Sequence, residues 1–142
     1  MNMSESRRFR LTPGGQTLAP PLEARSQAAV IQWANRSVNL LPDLRLLFAV
    51  PNAARRDKGA RGLLLATGMK AGVPDLILPV ARDGFIGLAI EMKRKGEEPS
   101  EVQLAWLAAL SDQGWLAIVC YGAIDAIEAL HAYVTARPTR IA

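Results

Sequence analysis

Two apolar runs, Pro74 to Val80 and Phe85 to Lys93, are joined around Arg82-Asp83-Gly84, which reads as an antiparallel hairpin. Such a hairpin restricts the fold severely, because strand side chains alternate faces and a one-residue change of register exchanges them. On the second run Glu91 and Lys93 share a face with Gly87 and Ala89, whose small side chains leave room, while Leu88, Ile90 and Met92 take the other. Pro79 removes a backbone donor and suits the end of the first strand. A loop of Arg82, Asp83 and Gly84 pairs Ala81 with Phe85 and sets Asp75 opposite Glu91; a tight Asp83-Gly84 turn sets Asp75 opposite Met92, on the wrong face. If the two carboxylates work together, an odd loop or a bulge is required, with Gly84 in the left-handed position.

The remaining elements follow from periodicity. Leu22 to about Val38 is helical, with Gln27, Ile31, Ala34 and Val38 on one face, and Glu23 one turn before them. Leu46 to Val50 reads as a short strand stopped by Pro51-Asn52. A glycine-punctuated cationic segment, 53–72, then carries Arg55, Arg56, Lys58, Arg61 and Lys70, with a short helix near Leu63 to Ala66. Pro99-Ser100 announces a helix ending near Gln113-Gly114, Trp115 to Tyr121 is a strand, and 123–136 is a closing helix. Strand, helix, strand over 85–121 implies a parallel crossover, so the expected fold is α/β, a mixed sheet of about four strands flanked by helices. Residues 1–20, with Arg7, Arg8 and Arg10, read as a flexible basic arm, and 21–142 as one domain.

Composition narrows the chemistry. Among 142 residues there are one cysteine and one histidine, too few for the usual zinc site or for a disulfide within the chain. Cys120 falls in an apolar run and His131 beside the stripe Ile127, Leu130 and Val134, so both read as structural or surface residues. Lysine and arginine outnumber acids by 17 to 13, which suits a polyanionic partner. No apolar run reaches membrane-spanning length and no signal sequence is evident, so a cytoplasmic protein is expected.

Asp75, Glu91 and Lys93 are then the candidate site. Two carboxylates facing one another across strands repel unless a cation intervenes, and oxygen ligands suit magnesium or manganese. On a solvent face the same residues would be ordinary surface groups, but Leu88-Ala89-Ile90 leads into them and suggests a buried strand. Gln103 has two readings: partner of Ser100 in a capping box, or an amide aimed at the sheet from the face of Leu107 and Leu110. Glu23 likewise is either a solvated first-turn acid or a third acid directed inward. Arg55, Arg56, Lys58, Arg61 and Lys70, with Arg94 and Lys95 beyond Lys93, are candidate DNA contacts.

Val50-Pro51-Asn52, Gly72-Val73-Pro74-Asp75, Ile90-Glu91-Met92-Lys93 and Ser100 to Trp106 together resemble the VRR-NUC domain of the PD-(D/E)xK nuclease superfamily, over about Leu22 to Leu130. The resemblance implies a restriction-endonuclease-like αβββαβ core and DNA hydrolysis dependent on magnesium or manganese. By position it assigns Asp75 and Glu91 to metal binding, Lys93 and Gln103 to catalysis, and Glu23 and the Met92 carbonyl to further metal ligation. The stand-alone phage and bacterial type implies a homodimer acting on branched DNA, such as Holliday junctions or flaps, in a bacterial or phage-infected cytosol. A sequence-specific restriction-type endonuclease and a non-catalytic DNA-binding or assembly subunit are the alternatives.

Overall fold

The computed structural model describes residues 22–51 and 57–140. The expected basic arm, together with Arg55 and Arg56, lies outside them. Among the described residues the order is α1 (Leu22–Ser37), a 3-10 turn (Pro42–Leu46), β1 (Phe48–Ala49), α2 (Lys58–Ala66), β2 (Leu76–Leu78), β3 (Leu88–Lys93), α3 (Glu101–Asp112), β4 (Leu116–Tyr121) and α4 (Ala123–Val134). The four strands lie in that order across one sheet, antiparallel from β1 to β3 and parallel between β3 and β4. This is the mixed α/β architecture expected from the sequence.

Alternation divides the sheet as the sequence requires. Leu76, Leu78, Leu88, Ile90, Met92 and Cys120 are buried on one face, against Val30 and Ala34 of α1 and Ala126, Leu130 and Tyr133 of α4. Val30, outside the expected stripe of α1, is at its centre, while Ile31 and Val38 flank it. Burial pushes the Cys120 thiol up to about 12, so it is an inert core residue; His131 is exposed. The other face, with Ala89 and Glu91, meets α3 through Leu107.

Several boundaries move. Pro42 starts a 3-10 turn that takes Leu46 out of β1, leaving two strand residues. Asp57 caps α2 by accepting from the Ala60 N–H at 2.8 Å, so this helix begins well before the expected Leu63. Ser100 and Gln103 form the expected capping box on α3.

The hairpin corrects one expectation and satisfies the demand behind it. Arg82 and Phe85 exchange backbone hydrogen bonds across a tight Asp83-Gly84 turn, not the three-residue loop, with φ of 49° and 88° at the two central residues. Farther along, Leu76 pairs with Ile90 and Leu78 with Leu88, the other parity. The extra residue is absorbed at Pro79, where the Val80 N–H donates back to the Leu78 carbonyl at 2.9 Å. Proline both ends β2 and restores Asp75 to the face of Glu91.

Gly87, expected to leave room for charged neighbours, instead lies beneath the Trp115 ring: a Cβ there would stand 2.3 Å from Trp115 Cζ3. Gly87→Ala is therefore expected to lower stability by about 1–3 kcal/mol through overpacking, read as a reduced denaturant midpoint. An unchanged midpoint would contradict this packing.

Candidate metal centre

Three acids from three elements converge. Glu23 comes from the first turn of α1, Asp75 from the turn entering β2, and Glu91 from the middle of β3. Each offers a carboxylate oxygen, and these oxygens lie within 4.8 Å of one another. The second reading of Glu23, an acid directed inward, is the one observed.

Glu91 is the anomalous member, since its side chain is 1% exposed. Lys93 Nζ stands 3.1 Å from its Oε1, yet neither carboxylate oxygen receives a directed hydrogen bond among the described residues. Burial, then the charge of Asp75, raises its pKa to about 7. Asp75 is also raised, chiefly by burial, although its Oδ2 accepts a hydrogen bond from the Met92 N–H at 2.7 Å. Lys93 reaches toward Glu23 as well, at 3.9 Å, and despite burial the surrounding acids hold its ammonium above the usual lysine range.

A divalent cation fits this set. Carboxylate oxygens converging from three elements, with those of the buried Glu91 lacking directed donors, are hard oxygen ligands suited to a hard ion. Met92 lies between Glu91 and Lys93, and its N–H orients Asp75.

A groove beside the acids is lined by Val50, Pro51, Lys70, Gly72, Val73, Asp75 and Gln103. Lys70 and Gln103 thus share a surface with Asp75. Gln103 forms the capping box, its Oε1 accepting from the Ser100 N–H at 2.9 Å, and the residue also lines the groove. Lys58 and Arg61 are exposed on α2, none of whose residues is buried. Arg94 and Lys95 are exposed just past β3, with Arg94 paired to Glu97.

One positioning contact went unread in the sequence. The Trp106 indole N–H donates to the Ala71 carbonyl at 3.0 Å, and a Cβ on Gly72, φ 81°, would stand 2.4 Å from Val102 Cγ1. The turn that delivers Asp75 is therefore clamped to α3 and requires glycine. A glycine two residues before the proline, with a tryptophan one helical turn past Gln103, was the available signal.

The four-stranded mixed sheet and α1 together bring three acids and a lysine to one place. The sequence profile of the VRR-NUC domain matches residues 23–124, and the chain belongs to that family of nucleases. Among solved structures, a chain described as a VRR_NUC domain protein superposes with a TM-score of 0.69 at 25% identity, covering 87% of this chain and all of that one. No curated protein matches the sequence.

The raised Glu91 pKa has a definite sign. A carboxyl whose folded pKa lies above its unfolded value contributes stability at low pH, which is lost as pH rises from about 4.5 through about 7. In chelator, Glu91→Gln should therefore melt above the wild type at pH 8, with the gap narrowing at pH 5. Manganese affinity of the wild type should rise with pH up to about 7, by about tenfold per pH unit where one proton is displaced, and level off above it. A pH-independent affinity would contradict the assignment of Glu91.

Proposed function

We propose that this domain is a metal-dependent endonuclease that hydrolyses phosphodiester bonds in DNA, selects branched structures such as junctions or flaps, and works as a homodimer. The observation that carries the metal-dependent reading is the buried Glu91 carboxylate, without directed donors and converging with Asp75 and Glu23. Buried charge is costly, and Lys93 supplies one positive charge against the three acids gathered here, a site suited to a further cation.

Glu23, Asp75 and Glu91 would hold magnesium or manganese, with the Met92 carbonyl as a further ligand. When bound, the ion supplies Lewis acidity toward a phosphate oxygen and a more acidic water. The chain's own groups do the rest. The Met92 N–H fixes one oxygen of Asp75, leaving the other for ligation. Lys93, cationic and within 3.1 Å of Glu91, stands ready to neutralise the negative charge that builds on the phosphate during attack. Gln103, whose Oε1 is held by the capping box, lines the groove beside Asp75.

Lys58, Arg61 and Lys70, with Arg94 and Lys95, are exposed cations that would meet the phosphate backbone of DNA. Arg55 and Arg56 belong to the same cationic stretch of sequence. Charge directed at phosphates reads shape more than base identity, which favours structure selection. Symmetric cutting of a junction calls for two sites related by a twofold axis, hence the homodimer.

The deciding experiment incubates purified protein with a four-way junction, a flap, a single strand and a linear duplex, in magnesium, manganese or chelator. Cleavage of the branched DNAs with either metal is expected, reduced at least about 100-fold in Asp75→Ala and Lys93→Met, with DNA binding retained. Binding without cleavage in every metal would establish a non-catalytic subunit, and cleavage confined to one duplex sequence a restriction-type enzyme. Replacing Lys58, Arg61 and Lys70 by alanine should weaken DNA affinity about tenfold and lower the slope of log affinity against log salt by about two to three. Unchanged affinity and slope would assign those cations to a solvated surface.

A further inference from the structure

Tyr121 ends β4 directly beside Lys93. The two are register partners in the parallel β3–β4 ladder, and Glu91 pairs with Val119, so Tyr121 stands on the face that carries the acids and the lysine. Its backbone is fixed from both sides. The Tyr121 N–H donates to Asp125 Oδ2 at 2.8 Å, and the next residue, Gly122, donates to the Lys93 carbonyl at 3.0 Å.

The rest of β4 is buried or half-buried, yet Tyr121 is 41% exposed, and Ile124 shortly after it is 74% exposed. A large aromatic side chain left open on a rigid strand end beside a site lysine contributes little to the core. Beside Tyr121 across the ladder is Lys93, and the chain that continues from Lys93 carries the exposed Arg94 and Lys95. Aromatic surface interleaved with positive charge is the chemistry that receives a single-stranded nucleotide, the cations taking phosphates and the ring taking the base.

Resting on the nuclease reading above, we infer that Tyr121 is a stacking platform for an unstacked nucleobase next to the phosphate that is cut. In an intact duplex both faces of each interior base are covered by its neighbours, so the ring finds a partner only where a branch, flap or gap leaves a base open. Stacking tolerates any base identity, since every base has a π-face. Tyr121 would thus supply selection for structure, while the acids and Lys93 supply reactivity.

The test uses the full chain with calcium in place of magnesium, and flap and linear duplex DNAs carrying 2-aminopurine, at the first unpaired position of the flap and at an interior position of the duplex. Wild type and Tyr121→Phe are expected to quench the flap fluorescence alike and to bind the flap with equal affinity. Tyr121→Leu, close in size but without a π-face, is expected to lose the quenching and to bind the flap about tenfold more weakly, with linear-duplex affinity the same for all three. Tyr121→Leu behaving as wild type would overturn the proposal. So would Tyr121→Phe falling as far as Tyr121→Leu, which assigns the role to the hydroxyl, or equal loss on flap and duplex, which assigns it to general surface contact. Wild type binding neither DNA would overturn the nuclease reading itself, a result distinct from the other three.

Discussion

The organisation of this end of the sheet depends on one buried negative charge. Glu91 lies in β3, between two neighbouring strands, 1% exposed and without a directed hydrogen-bond donor among the described residues. Burying such a group uncompensated costs on the order of several kcal/mol, and here the proximity of Asp75 and Glu23 adds repulsion. Lys93 offsets part of this from two residues along the same strand face. The remaining imbalance is what a divalent ion would neutralise.

Other parts of the chain serve that convergence. The turn at Pro79 shifts register by one residue and keeps Asp75 on the correct face. Trp106 and Val102 of α3 clamp the Ala71-Gly72 turn, so the approach to Asp75 is fixed by packing. The first turn of α1 brings Glu23 within reach of Lys93. The cations of α2, Lys70 and the pair after β3 are exposed. That division suits a nuclease: the reactive groups need fixed geometry, whereas phosphate contacts work at longer range.

Much of this was legible in the sequence because strand alternation is a strong code. The face shared by Glu91 and Lys93 follows from counting along Leu88 to Lys93, and the element order follows from periodicity and capping residues such as Ser100. The hairpin was harder, since turn length and register are linked only when the strands are regular. A proline in the first strand signalled an irregularity but not how many residues it would absorb. Trp106 stands in the Ser100 to Trp106 motif, but its contact to Ala71 joins residues 35 apart, and only Gly72 two residues before Pro74 hints at it. The apposition of Tyr121 and Lys93 likewise depends on how the α3 crossover sets the register of β4.

The role of the three acids turns on where a metal binds. Crystals grown without metal and soaked in manganese at pH 8, with diffraction collected for anomalous signal, would locate the ion directly. The structure predicts one principal peak enclosed by the carboxylates of Glu23, Asp75 and Glu91. Peaks confined to surface acids elsewhere, with Glu91 still bound only to Lys93, would contradict it.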